Sequence, residues 1–233
     1  MLNILKNKKV LFFDVGYTLD YPASGDWMFT NKFYELTGSR LADVSASDIQ
    51  AARRFAMRYL NDHHLVKDVE EECRQFFRYY SDFAKYLGLP LSDEEARAIA
   101  EDRAHNMDNY IVYPDSVEVV KELNRTHRLG IISDTWPSIE QQLKYIGVYP
   151  YFSGFTYSCD LGVFKPDERI YTDALEKSGC RAEEAVFIDD AVPNLEGAAK
   201  LGITPILIAA NPASDVETKY CKIHSLTELL SEE

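Results

Sequence analysis

The sequence predicts an α/β fold in which a doubly wound parallel sheet carries an inserted α-helical segment. Short apolar runs without polar alternation occur near both ends of the chain, as in parallel strands that are covered on both faces. From Tyr113 onward these runs alternate with segments of helical periodicity, which is the pattern of right-handed crossover connections. Residues 21–110, in contrast, contain helical patterns and no convincing buried strand.

The first predicted strand covers residues 10–13 and runs directly into a carboxylate, Asp14. Burying a carboxylate without partners is costly, so packing alone gives little reason for an acid at this point. In open α/β sheets, ligands bind in the crevice outside the carboxyl ends of the strands. Asp14 is therefore the first candidate for a functional residue.

The segment that follows is predicted to be a helical insert of three or four helices. Apolar residues recur at helical spacing over residues 47–60 and 70–87, and Gly88 ends the second stretch. Ser92 and Glu95 have the spacing of a capping box at the start of another helix. We interpret the aromatic stripes of these helices as the core of a helix bundle.

Beyond the insert, strands and helices alternate to the end of the chain. The predicted strands are residues 129–133, 155–158, 185–188 and 205–209, and the predicted helices are 114–127, 138–146, 166–177 and 194–201. The resulting domain prediction is a core formed by residues 1–20 and 111–233 and a helical cap formed by residues 21–110.

Composition narrows the class of partner. Lys plus Arg total 25 against 38 Asp plus Glu, a net charge of −13, which argues against a nucleic-acid backbone or an anionic membrane as the partner. A small anionic substrate is still compatible if a metal or a local lysine supplies positive charge. The four cysteines form no CxxC pair, and no apolar run is long enough for a signal peptide or a membrane span. We therefore expect a cytoplasmic protein, while its oligomeric state cannot be predicted.

Polar side chains lie at or after the ends of the first four predicted core strands, which we expect to be neighbours in the sheet. Asp14 follows the first strand, and the others are Ser133, Asp134, Lys165, Asp189 and Asp190. Since the carboxyl ends of parallel strands meet at one edge of a sheet, we expect these groups to converge. Such a set supports attack of a carboxylate on phosphorus beside Mg²⁺, which prefers oxygen ligands including one or two carboxylates.

Four short motifs, taken in order, resemble those of the haloacid dehalogenase superfamily, and the helical insert resembles its α-helical cap over a Rossmann-like core. The motifs are Asp14-Val15-Gly16-Tyr17-Thr18, Ser133-Asp134, Lys165-Pro166 and Asp189-Asp190 with Asn194. The resemblance implies a Mg²⁺-dependent phosphatase of a small phosphorylated metabolite with Asp14 as nucleophile. It implies a substrate-binding set of Ser133, Asp134, Lys165 and Thr18, and a metal-binding set of Asp14, Gly16 through its carbonyl, Asp189 and Asp190. Asn194 either supports the acidic pair or caps a helix.

Two positions depart from the family pattern. Gly16 stands where phosphatases of the superfamily carry a second aspartate as general acid/base, a loss that typically costs about 10² to 10⁴ in rate. Asp134 stands where asparagine is more usual, and a protonated Asp134 could supply the missing acid. Tyr17 and Asp20 are the other nearby candidates for this role.

Three alternatives are compatible with the sequence. A non-catalytic binding protein would keep the fold and the metal pocket but would have lost turnover with Gly16. A dehalogenase would need no metal, whereas the pair Asp189-Asp190 is present here. A phosphonatase would need a Schiff-base lysine in the cap, and no cap lysine stands out. We interpret His63 and His64 as residues of the cap surface and not as a metal pair, because neighbours on a helix point in different directions.

Overall fold

A computed structural model describes residues 3–231 of the chain. The strands, in chain order, are Val10–Phe13 (β1), Asp20–Pro22 (β2), Tyr110–Val112 (β3), Arg128–Ser133 (β4), Gly154–Tyr157 (β5), Ala185–Asp189 (β6), Thr204–Ile208 (β7) and Cys221–Ile223 (β8). The α-helices are Asn31–Leu41 (α1), Ala46–Asp62 (α2), Val69–Leu87 (α3), Asp93–His105 (α4), Ser116–Leu123 (α5), Ile139–Tyr145 (α6), Ser158–Leu161 (α7), Glu168–Ser178 (α8) and Val192–Lys200 (α9).

Six strands form one sheet in the order β5-β4-β1-β6-β7-β8, and every neighbouring pair is parallel. The predicted doubly wound parallel sheet is therefore confirmed. From β1 the chain continues to β4 and β5, which lie on one side of β1, and then crosses to β6, β7 and β8 on the other side. The strand order therefore reverses at β1. Ligands of such sheets bind at this reversal point.

Both faces of the sheet are covered, which explains the apolar runs without alternation. Leu11 and Phe13 of β1 belong to the hydrophobic cluster on one face, and Val10 and Phe12 belong to the cluster on the other. Successive side chains of a strand point to opposite faces, so all four must be apolar in a strand that is buried twice.

The insert, which the sequence predicts to be a cap, forms helices α1 to α4 around a hydrophobic cluster that includes Phe33 of α1 and Phe76 and Phe83 of α3. The predicted helix ends are confirmed here. Gly88 adopts a left-handed conformation with φ of 65° at the end of α3, and Ser92 and Glu95 form the reciprocal hydrogen bonds of a capping box.

Three short strands escaped the sequence prediction. β2 and β3 pair antiparallel at the two junctions between the core and the cap, and β8 extends the edge of the main sheet beside β7. Each has three residues, too few to display a period. None of the helices within residues 3–231 is both long and apolar enough to cross a membrane.

Candidate active site

The strand ends bring the predicted polar residues together around one buried lysine. Asp14 follows β1, Ser133 ends β4 and Asp189 ends β6, and these are three neighbouring strands of the sheet. The Nζ atom of Lys165 lies 2.7 Å from Asp14 Oδ1 and 2.7 Å from Asp189 Oδ2. The loop before α8 that carries Lys165 therefore reaches back to the ends of β1 and β6.

Lys165 is held in the charged state. Burial alone would lower the pKa of its ammonium group, but the carboxylates of Asp14 and Asp189 outweigh that effect and raise the pKa. The Lys165 Nζ also donates to the carbonyl oxygen of Ile132 at 3.4 Å. The lysine is thus a fixed positive charge between two acids.

The acids nevertheless exceed the positive charge that Lys165 provides. Burial raises the pKa of Asp14 to about 8; Lys165 acts against the rise, and Asp189 and Asp190 add to it by repulsion. Ligand oxygens of Asp14, Asp189 and Asp190 all lie within 4.8 Å of one another. An all-oxygen group of this kind favours a hard divalent cation.

Asp189 and Asp190 differ in how their oxygens are used. Both oxygens of Asp189 are occupied: Oδ1 accepts from Ala191 N at 2.7 Å, Oδ2 accepts from Lys165, and the Asn194 amide donates to each oxygen at 3.1 Å. Asp190 lines the cavity and accepts from the Ser214 hydroxyl at 2.8 Å through Oδ2. Asn194 therefore supports the acidic pair, one of the two roles that the sequence left open.

Asp134 faces the cavity from the loop after β4. Its Oδ1 accepts a hydrogen bond from the backbone N–H of Lys165 at 2.9 Å. Its side chain is exposed to solvent in the cavity, yet the protein around it removes enough hydration to raise the pKa of the carboxyl, with Lys165 acting against the rise. A carboxyl with a raised pKa is a better proton donor near neutral pH.

These groups border a cavity of about 200 Å³ between the core and the cap. Its lining residues are Asp14, Val15, Gly16, Tyr17, Trp27, Met28, Arg103, Tyr110, Ser133, Asp134, Thr135, Trp136, Ile139, Gln142, Lys165, Asp190 and Asn194. Thr18 is absent from this lining and borders a separate cavity with Tyr113 and His224, so we leave Thr18 out of the proposed site.

Asp20 is likewise separate from the cavity. Its side chain is fully buried, its Oδ2 accepts from Gln142 Nε2 at 2.6 Å, and burial raises its pKa to about 7, with the Gln142 bond acting against the rise. Of the three residues considered as substitutes for the missing acid, only Tyr17 and Asp134 line the cavity.

A tryptophan fills the space beside Gly16. A Cβ atom built on Gly16 would lie 2.9 Å from Trp27 Cζ2, closer than carbon atoms approach in proteins. The Trp27 ring is fixed by an edge-to-face contact with Tyr17, with the ring centroids 5.2 Å apart. Glycine is therefore required here unless Trp27 moves, and a side-chain acid at this position does not fit.

A buried carboxylate of the helical insert contacts the residue that precedes α6. Glu72 of α3 accepts hydrogen bonds from Ser138 N at 2.8 Å and from Ser138 Oγ at 2.7 Å, and Ser138 directly precedes α6 of the core. Arg103 of α4 lies beside it, with Nη1 4.0 Å from Glu72 Oε1. Neither residue was predicted from the sequence to be a site residue. A signal was present, since each charge falls at helical spacing among apolar residues of a buried face.

The interpretation of His64 as a surface residue is wrong, whereas His63 is exposed as expected. The His64 ring stacks on Phe164 with a centroid separation of 3.7 Å, and its Nε2 is hydrogen-bonded to Ser158 Oγ at 2.6 Å. Burial lowers the pKa of His64 to about 4, so the ring is neutral at physiological pH. His64 follows the end of α2, where the chain no longer obeys helical geometry, so the spacing rule did not apply.

The parallel sheet and the polar residues at its strand ends define an α/β fold with a candidate active site at one edge of the sheet. The chain belongs to the haloacid dehalogenase-like hydrolases, whose family model matches residues 9–202. It is therefore a hydrolase.

The chain is also similar to individual proteins. A Saccharomyces cerevisiae protein, YMR130W, is 32% identical over 176 residues, which are 64% of this chain and 58% of the relative. The glyceraldehyde 3-phosphate phosphatase of Methanocaldococcus jannaschii is 27% identical and is matched over 80% of this chain and 90% of its own length. Among solved structures, the magnesium-bound HAD-hydrolase YfnB from Bacillus subtilis has the same fold, with a TM-score of 0.70 at 16% identity over 95% of this chain and 96% of that protein.

Proposed function

We propose that the chain is a Mg²⁺-dependent phosphatase that hydrolyses a small phosphorylated metabolite through an aspartyl-phosphate intermediate on Asp14. The observation that carries the proposal is the position of Lys165 Nζ, 2.7 Å from both Asp14 and Asp189 beside an open cavity. Packing gives no reason to bury a charge among carboxylates here. Phosphoryl transfer, in contrast, needs a nucleophile next to fixed positive charge.

The reaction has two steps. A carboxylate oxygen of Asp14 attacks phosphorus, the ester P–O bond breaks, and the leaving oxygen takes a proton. Water then attacks the phosphorus of the aspartyl phosphate, which breaks its bond to Asp14 and releases inorganic phosphate. The Ser133 hydroxyl donates a hydrogen bond to a phosphoryl oxygen, and Lys165 offsets the negative charge in both steps.

The residues at the strand ends fit Mg²⁺. Asp14 and Asp190 would ligate the ion directly, together with the carbonyl oxygen of Gly16. Asp189 would not ligate the ion directly, because its two oxygens already accept hydrogen bonds from Lys165, Ala191 and Asn194. It would instead hold Lys165 in place beside the ion. When bound, the ion offsets the repulsion between an anionic nucleophile and an anionic phosphate ester.

The proposed substrate class follows from the relatives and from the size of the cavity. Proteins described as glyceraldehyde 3-phosphate phosphatases match most of this chain at 24% to 27% identity. A cavity of about 200 Å³ favours a short ester over a large one. We therefore propose a phosphorylated metabolite with a short carbon chain.

Hydrolysis of para-nitrophenyl phosphate tests the proposed function. We expect phosphate release with Mg²⁺, loss of release when a chelator removes divalent ions, and recovery when Mg²⁺ is restored. This aryl leaving group needs little protonation, so the glycine at position 16 will not hide the activity. A protein that binds Mg²⁺ and phosphate but releases no phosphate from any ester would instead be a non-catalytic binding protein. Chloride release from a short chloro-carboxylic acid without metal would identify a dehalogenase.

We further propose that Asp134 donates the proton to the leaving oxygen, the role for which Gly16 has no side chain. We expect Asp134→Asn to lower kcat about 10²-fold on an alkyl phosphate but only a few-fold on the aryl ester. The wild-type rate on the alkyl ester should fall as pH rises through the raised pKa of Asp134, because the donor is then deprotonated. Equal losses on both esters, with an unchanged pH profile, would show that Asp134 does not act as the acid.

A further inference from the structure

Arg103 is a buried cation of the cap that lines the same cavity as Asp14. Only 8% of Arg103 is exposed. Its guanidinium carbon lies 4.6 Å from the centroid of the Phe76 ring and 5.9 Å from the centroid of the Trp136 ring. Its Nη1 donates a hydrogen bond to Tyr110 Oη at 2.7 Å. The aromatic rings and this bond fix the guanidinium in one orientation.

The charge of Arg103 is already balanced within the protein. Glu72 lies 4.0 Å from Nη1, is fully buried, and is itself held by two hydrogen bonds from Ser138. A substrate anion is therefore not required to neutralise Arg103. A second anion would also enter a cavity in which Asp14, Asp134 and Asp190 already repel negative charge.

Two hydrogen-bond donors next to this pair are unused. Arg103 Nε and Trp136 Nε1 are both buried and have no hydrogen-bond partner within residues 3–231. Trp136 is 9% exposed and lines the cavity together with Arg103. An unpaired buried donor is unfavourable, and the protein recovers that free energy when a ligand supplies an acceptor.

We propose that Arg103 and Trp136 recognise a neutral oxygen, a hydroxyl or carbonyl, on the carbon chain of the substrate. This inference rests on the proposed phosphatase function and narrows its substrate class to short phosphate esters of polyols, aldehydes or ketones. The phosphoryl group lies at Asp14 and Lys165, and the oxygen-bearing chain extends toward the cap. Carboxylate-bearing esters are disfavoured because Glu72 already neutralises Arg103.

The test compares three alkyl esters of similar size: glycerol phosphate with neutral hydroxyls, phosphoglycerate with a carboxylate, and propyl phosphate with neither. We expect the wild type to prefer glycerol phosphate to both others in kcat/KM, by about tenfold or more over propyl phosphate. Trp136→Phe keeps an aromatic ring but removes Nε1–H. It should lower kcat/KM for glycerol phosphate about tenfold more than kcat/KM for propyl phosphate, mostly through KM.

Arg103→Lys is the second variant, since lysine keeps a positive charge for Glu72 but lacks Nε. It should reduce the same preference, and thermal unfolding of both variants establishes that they are folded. Wild-type preference for phosphoglycerate, or a glycerol-to-propyl ratio that neither variant changes, would overturn the proposal.

Calorimetric binding of the same esters separates recognition from turnover. The protein carrying Asp14→Asn should bind glycerol phosphate more tightly than propyl phosphate, and adding Trp136→Phe should remove the difference. Equal affinities would overturn the recognition proposal even if the wild type is an active phosphatase. A retained difference in affinity without any wild-type turnover would support recognition and overturn the phosphatase function alone.

Discussion

The substitution Asp14→Asn is expected to lower kcat on para-nitrophenyl phosphate by at least about 10⁴-fold, because an amide oxygen cannot form the aspartyl phosphate. Stability should be unchanged or higher. Burial and the nearby Asp189 and Asp190 disfavour the charge of Asp14, and asparagine removes that charge. Lys165 keeps its ion pair with Asp189 at 2.7 Å. Turnover and urea denaturation, measured on the same preparation, separate lost chemistry from lost structure.

Asp20→Asn is the matched control, since Asp20 is a buried acid six residues further along that does not line the cavity. Its Oδ2 accepts from Gln142, and an asparagine oxygen can accept the same bond. We expect its kcat to stay within a few-fold of wild type. Turnover by Asp14→Asn at a rate similar to that of the Asp20→Asn control would refute the role of Asp14 as nucleophile.

Removal of Lys165 should affect both turnover and stability. Lys165→Met leaves Asp14 and Asp189 buried without the cation that lies 2.7 Å from each, and breaking a buried ion pair typically costs about 3–5 kcal/mol. We expect a loss of this size in urea denaturation at neutral pH, together with loss of phosphatase activity. Added Mg²⁺ should restore part of the stability, because it supplies positive charge to the same carboxylates.

The stability deficit of Lys165→Met should shrink as pH is lowered. Lys165 acts against the rise in the pKa of Asp14, so without the lysine the folded-state pKa of Asp14 lies further above its unfolded value. The folded state therefore binds an extra proton, and stability is lost as pH rises through that raised pKa. Lys177→Met serves as the control, because Lys177 forms a partly exposed pair with Asp173 and should cost no more than about 1 kcal/mol. Similar losses of stability in the two variants would contradict the inference that the charge of Lys165 stabilises the buried carboxylates.

The class of fold and the acidic strand ends were predictable because both follow from local patterns. Four apolar residues in a row before Asp14 indicate a strand buried on both faces, and the same pattern recurs before Asp189. Parallel strands with crossover helices bring such ends to one edge, so Asp14, Ser133 and Asp189 meet without any knowledge of the side-chain contacts. Helix ends at Gly88 and Ser92 were equally local.

The three-residue strands β2, β3 and β8 were not predictable, since a strand that short displays no period and is defined by its partner. The same limit applies to His64, which is buried by residues distant in sequence, among them Phe164 and Trp136.

By itself the sequence determined the doubly wound sheet, the helical insert and the order of the charged strand ends, since each depends on the chain's own periodicity. Only the tertiary structure decided which side chains share the cavity. The contact of Glu72 with Ser138 joins residues 66 positions apart, and Trp27 fills the space beside Gly16 from the far side of the β2 turn. Contacts of this kind depend on how the helical insert packs against the sheet. No local pattern of residues determines that packing, because the contacting residues are far apart in the sequence.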